Sequence, residues 1–343
     1  MALTSDGKTH GIKTPGIKTP GITPQAYLRA QSRWHPLEIA FWLATLLPLF
    51  LFPDYLSLAS QIAITALFAL SLDIILGYAG VVSLGHAAFF GIGAYTAGLF
   101  SKFIWGEPFS GLLAAAAIAG LVGYVSGAMI ARFRHLTLIM ITLGLGLLAY
   151  ETANRAHWLT GGTDGLQGIS TWPLFGIFKF DLYGYTAYSY ALGGLFVVFL
   201  GVRRLVHSPF GLSLRGIREN WIRMPAIGAN SRAHIRMAYT IAATIAGICG
   251  AILAQATESV SLESISFQRS ADVLVMLVLG GAGRLYGGLV GAAIFMIARD
   301  QFSGIAPQFW YFWIGILLVV VVIFLPNGIL GGLAKLTARW RQK

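Results

Sequence analysis

The chain has 343 residues, 56% of them hydrophobic, and only 11% are Asp, Glu, Lys or Arg. Soluble domains carry about 25% charged residues, so with a mean hydropathy of +0.72 an ordinary soluble enzyme is excluded and lipid is the main solvent. A single cysteine, Cys249, excludes an internal disulfide framework and a thiolate metal cluster, and the net charge of +11 is read as attraction to anionic inner-leaflet lipid rather than to nucleic acid.

Residues 1–36 carry GIKTP at 11–15 and again at 16–20, then GITP. Frequent proline and no apolar core predict a disordered, basic cytoplasmic tail, without the apolar stretch of a cleavable secretion signal. From residue 37 the pattern changes. Residues 39–53, 55–72, 74–101, 108–131, 182–202, 237–257 and 301–334 contain no Asp, Glu, Lys or Arg. A hydrocarbon core about 30 Å thick needs roughly 20 mostly apolar residues per helix, and backbone groups in lipid must be satisfied within the segment. The expected fold is therefore an all-α, polytopic integral membrane protein with about ten membrane segments, some of them short or interrupted. They are placed near 37–53, 55–77, 82–104, 109–131, 136–151, 185–203, 237–257, 270–283, 285–299 and 308–327, within one domain over 37–330. Residues 331–343 form a basic cytoplasmic C-terminus.

Asp73 lies inside an apolar segment, where an acid near the bilayer centre costs about 2.5–3.5 kcal/mol and must face protein or water. Capping or pairing near the cytoplasmic end of its span is one role for it. The run that follows, 77–95, packs five glycines into 19 residues. Gly is costly inside helices and useful where helices approach closely or where the backbone breaks to line a cavity. Gly77, Gly80, Ser83, Gly85 and His86 thus belong either to tight packing or to an interrupted, re-entrant element beside a path through the membrane. His86 is read as an interior histidine or a proton relay, with no companions for a metal site.

Residues 152–184 form an outer loop with TGGTDGL at 160–166 and the aromatics Trp158, Trp172 and Phe175, suited to interfacial anchoring. Residues 203–236 carry seven arginines and one acid, Glu219. This stretch is longer than most connections, which stay under about 12–15 residues. Within it, Leu212–Met224 interleaves apolar residues with arginine and predicts an amphipathic helix along the inner surface, docking on a soluble partner or on lipid headgroups. Further on, 270–292 repeats the earlier theme: Asp272, then Gly280, Gly281, Gly283, Gly287 and Gly291. Gly283, Gly287 and Gly291 recur at i+4, a spacing for close helix approach, and an aspartate before a glycine break in two places raises an inverted internal repeat.

Ten spans put both termini on one side. All but five of the 24 Lys and Arg (Lys102, Arg155, Lys179, Arg269 and Arg299) then fall on that side, which makes it cytoplasmic, N-in and C-in.

LDIILGYAGVVSLGHAAFFGIGAY (72–95), LTGGTDGL (159–166), RGIREN…AIGAN (215–230) and SADVLVMLVLGGAGRLYGGLVGA (270–292) closely resemble the branched-chain amino acid ABC transporter permeases. The likeness covers about residues 37–330 and is greatest to the longer of the two paired permease subunits. It implies a multi-pass protein of the bacterial inner membrane that pairs with a second, homologous permease, two cytoplasmic ATPase subunits and a periplasmic substrate-binding protein. On that resemblance Arg215, Gly216, Arg218, Glu219, Asn220 and Gly228 belong to the ATPase-docking loop. Gly77, Gly80, Ser83, Gly85, His86, Gly280, Gly281, Gly283 and Gly287, in the 77–95 and 280–292 runs, look like the family's pore-lining or helix-packing elements, and Asp73 and Asp272, which precede the two glycine breaks, are candidates for the same path or packing. The chain has no GxxxxGK[ST] phosphate loop and no catalytic motif, so it is expected to be no enzyme and to bind no cofactor, with ATP and Mg on the partner ATPases. The expected cargo is leucine, isoleucine or valine, with urea or an aromatic or other organic acid as the alternative. An ion-coupled secondary transporter using Asp73, His86 and Asp272 is the rival class.

Overall fold

The computed structural model describes residues 36–174, 176, 178, 184–325 and 327–332. Nearly all of the predicted tail over 1–36 and most of 331–343 lie outside these residues, as does Phe175. Among them the fold is helical, with no strand and only the isolated bridges Leu166–Val260 and Leu174–Phe178. The main helices are α1 (Pro36–Ala44), α2 (Leu56–Asp73), α3 (Ala87–Phe103), α4 (Pro108–Ile130), α5 (His135–Arg155), α6 (Tyr185–Val206), α7 (Pro209–Glu219), α8 (Ser231–Thr257), α9 (Phe267–Gly280), α10 (Gly287–Ile305) and α11 (Trp310–Phe324). A short turn at Pro48–Leu51 extends α1. Each of the ten predicted spans overlaps one of these helices, although the first, 37–53, is broken after Ala44. Among the described residues five helical stretches are long and apolar enough to cross a membrane: Pro53–Tyr78, Pro108–Ile130, His135–Arg155, Tyr185–Val206 and Ser231–Thr257.

Burial separates centre from periphery. Of the most apolar window of Pro53–Tyr78, 78% is buried within the chain, against 17% for His135–Arg155. Pro53–Tyr78 is therefore a core element, with α6, α8, α9 and α10 packed around α2, while α5 lies at the edge. α11 is apolar around its whole circumference and largely exposed, the signature of a helix solvated by lipid. α8 is the second central rod, and its small residues let neighbours come close. A Cβ on Gly247 would fall 2.4 Å from the Ala119 Cβ of α4, and one on Gly93 of α3 would fall 2.2 Å from the Gly247 carbonyl oxygen. Small residues at such contacts allow the backbone-to-backbone approach that drives helix association in lipid.

Helix starts follow their capping chemistry. Ser208, Asn230 and Ser266 each accept a hydrogen bond from the N–H three residues on, opening α7, α8 and α9. Asn230 starts α8 six residues before the predicted span at 237, because the absence of charge marks the lipid-immersed part and not the polar first turns. The connecting segments gather at two ends. At one, Arg134 lies over the Trp221 ring at 4.0 Å. At the other, Trp172 N–H donates to Gly106 O at 2.8 Å, and the Leu166–Val260 bridge ties the 156–174 loop to the segment before α9.

Candidate functional site

α2 does not run on into α3. After Asp73 the chain widens into a π-helical turn, Ile74–Tyr78, and then leaves helical geometry until Ala87. The expected span at 82–104 is thus corrected: its first five residues are unwound. Gly80, with φ +73, turns the chain through a conformation that L side chains rarely adopt. The freed backbone groups find side chains from distant helices. Leu84 N–H donates to Thr142 Oγ1 at 3.3 Å, and Ala87 N–H donates to Ser270 Oγ at 2.9 Å. Irregular backbone at membrane depth is tolerated where protein satisfies it in this way.

Three of the sequence runs meet at this break. Asp73 Oδ1 accepts the Gly283 N–H at 2.7 Å. Arg218 Nη1 donates to the Gly77 carbonyl, and the Arg218 stem crosses Gly80, where an added Cβ would come within 2.9 Å of Arg218 Cγ. A Cβ on Gly77 would stand 1.9 Å from Asp73 Oδ1 and 2.4 Å from Gly283 N, so no larger residue fits. Arg215 places its guanidinium 5.2 Å from the centre of the Tyr78 ring. Asp73 in α2, the α9–α10 turn and α7 therefore share one node.

The remaining candidates distribute around it. Gly280, Gly281 and Gly287 bring the ends of α9 and α10 into backbone contact. Gly283 sits at φ +80 in the turn between them, so Gly283, Gly287 and Gly291 do not form one helical stripe, and the spans expected to be parted only by Arg284 are separated by residues 281–286. Gly85 lies against the Thr142 carbonyl. Ser83 Oγ is 3.3 Å from Tyr239 OH. His86 is buried, 2.9 Å from Ser71 Oγ through Nε2, and stacked on Phe68, with its Nδ1 buried and unpartnered. Asp272 does not join Asp73. It is half-buried and accepts from Gln268 Nε2 at 3.0 Å, so the two aspartates have different surroundings. Among the described residues no cluster of three His, Cys, Asp or Glu is placed to hold a metal.

The arginine-rich segment folds as expected in part. α7 buries Leu214 and Ile217 and turns its polar side outward, but it stops at Glu219 rather than continuing to Met224. The Asn220 side chain accepts from the Ile222 and Arg223 N–H groups at 3.1 and 3.0 Å, which starts a separate turn, Arg223–Ala226. Gly216 packs on the Met224 thioether, and Gly228 takes φ +91 in open space. Glu219 is exposed. Ile222 and Ile227, which sequence reasoning passed over, are 80% and 76% exposed. Both stand out from a polar, arginine-bearing loop, and their position between charged residues was the available signal.

Residues 55–322 match the family described as branched-chain amino acid transport system / permease component. The chain belongs to this family. Among curated proteins it is similar to the high-affinity branched-chain amino acid transport system permease protein LivM of Escherichia coli (strain K12), 29% identical over 299 residues, covering 80% of this chain and 69% of the relative. The probable LivM permease of Methanocaldococcus jannaschii is 24% identical, covering 80% of this chain and 92% of its own. The LivH permease of Salmonella typhimurium is 22% identical, with 78% and 91% covered. No solved structure gives a significant match. A permease of branched-chain amino acid transport that passes the membrane several times is the identity these matches carry.

Proposed function

We propose that this chain is one of two permease subunits through which an ABC importer of the bacterial inner membrane moves leucine, isoleucine or valine inward. A second, homologous permease completes the path. Two cytoplasmic ATPase subunits, holding ATP and Mg, supply the driving force, and a periplasmic binding protein delivers the cargo. Both termini and the α7 loop lie on the cytoplasmic side, in keeping with the arginine distribution.

The observation that carries the reading is the node at Asp73. α7, with exposed Glu219, Ile222 and Ile227 beside it, forms a docking surface, and Arg218 fastens that surface to the break in a central helix and to the α9–α10 turn. When the ATPases close, a displacement of α7 reaches Gly77 and Gly283 without passing through a flexible link. The rival, an ion-coupled transporter, requires a proton or sodium site; His86 Nε2 and Asp73 Oδ1 are taken by Ser71 and the Gly283 amide, which leaves the buried, unpartnered His86 Nδ1 and Asp73 Oδ2 as the atoms such a site would use. Reconstitution decides between them. Leucine uptake into vesicles that needs the ATPases and ATP, and persists when proton and sodium gradients are collapsed, supports the importer. Uphill uptake by the permeases alone defeats it.

A further inference from the structure

α9 is short: its 14 residues rise roughly 21 Å at 1.5 Å per residue, ending at the turn beside Arg218. Arg269 therefore lies roughly 16 Å from that turn, about half of a 30 Å hydrocarbon core. The bond from Ala87 N–H to Ser270 Oγ places the same level against the first residue of α3. Ionisable groups at such depth are expensive in lipid and face protein, water or cargo.

Arg269 and Asp272, three residues apart, share a face of α9, yet they are not paired. Among the described residues the ion pairs are Glu151 with Arg155 and Glu38 with Arg203. Arg269 instead lays its guanidinium over the Phe90 ring, 5.2 Å from the centroid, and its buried Nε has no hydrogen-bond partner. Asp272 spends one oxygen on Gln268. α10 runs antiparallel, with Gly287 and Gly291 against Gly280 and Met276, and this register raises Arg299 to the level of Gln268 and Arg269, one turn from Asp272, over the Trp310 ring at 5.0 Å. Glu263, just before α9, completes the set within electrostatic reach. Arg269, Asp272 and Arg299 are half-buried and Glu263 is exposed.

We propose that Arg269 and Asp272 form a mid-membrane binding site for a zwitterionic α-amino acid, the guanidinium receiving its carboxylate and the aspartate its ammonium group. This deepens the importer reading and rests on it for its place in transport. A cargo of one sign satisfies one group and leaves the other desolvated and unpaired, a penalty that outweighs the single interaction it makes. The Phe90 ring braces the guanidinium from behind and leaves its donors free for the carboxylate.

The test measures radiolabelled L-leucine binding to the assembled permeases and ATPases in lipid nanodiscs without the receptor, with unlabelled leucine, isocaproate (carboxylate only) and isopentylamine (ammonium only) as competitors. Leucine is expected to displace the label about tenfold better than either analogue. Arg269→Gln and Asp272→Asn are each expected to weaken binding by about tenfold or more, with Arg269→Lys between them and the parent. Equal displacement by isocaproate, assembled variants within about twofold of the parent, or no leucine binding at all overturns the site. The analogue series uses the unaltered chain, so it stands if a variant fails to assemble. ATP-driven uptake by the receptor-supplied importer, measured in parallel, reports separately on the importer reading.

Discussion

Arg218→Ala tests the node most directly. The substitution removes the donor to the Gly77 carbonyl and the stem lying across Gly80, while leaving the Asp73–Gly283 bond in place. A hydrogen bond made by a charged group contributes about 1.5–3 kcal/mol net. Arg218 is on a solvated surface, which puts it near the lower end. About 1.4 kcal/mol is a factor of ten, so the fraction of ATPase closures that carry the α2 break along with α7 should fall by roughly tenfold. The assay is proteoliposomes containing both permeases, the ATPases and the receptor, scored as leucine imported per ATP hydrolysed. The Ala variant is expected to assemble and hydrolyse ATP near the parent rate while importing about tenfold less per ATP. Arg218→Lys keeps a charge on a shorter reach and should be intermediate. An unchanged leucine-to-ATP ratio in the Ala variant refutes the idea that force passes through this contact.

Gly77→Ala drives a methyl group into Asp73 and the Gly283 amide; overpacking of this kind costs about 1–3 kcal/mol, so the detergent-solubilised protein should melt lower, and Gly80→Ala should do so through its φ of +73. Ile222→Asp with Ile227→Asp touches only exposed side chains, so melting should stay within about 0.5 kcal/mol of the parent while co-purification of the ATPases falls. His86→Gln retains a polar partner for Ser71 and should keep leucine uptake, with no new dependence on a proton gradient; loss of uptake restored by changing external pH would revive the proton-relay role. Asp73→Asn leaves an acceptor oxygen for the Gly283 amide and should be milder than Asp73→Ala, which leaves that amide unsatisfied at about 1–3 kcal/mol, as read by thermal unfolding.

The helices were legible because lipid imposes a long apolar run on each of them, and that signal needs no knowledge of partners. Their interruptions were half legible. The glycines at 77–93 announced an irregular element, but its extent, 79–86, depended on Thr142 and Ser270 lying opposite, 58 and 183 residues from the groups they accept from. The i+4 spacing of Gly283, Gly287 and Gly291 suggested one packing face, because spacing cannot tell a helical glycine from one held at φ +80 in a turn. Likewise each part of the node carried its own mark in the sequence, whereas the contact between Asp73 and Gly283, 210 residues apart, did not. The arginine-rich loop was legible in its composition, and the end of its helix at Asn220 follows from a local side-chain bond that the amphipathic pattern overran.

α8 has one more consequence. Its 27 residues make an unbroken shaft roughly 40 Å long, longer than the oily slab it crosses, capped by Asn230 beside the arginine loop and ending at Glu258 next to the outer bridge at Val260. A shaft without a joint cannot absorb motion by bending locally; it converts a push at one end into a swing at the other. Pivoting about its glycine-lined middle by about 10° would carry each tip about 3.5 Å sideways, in opposite directions, so a small lean on the inner face is felt at the outer one.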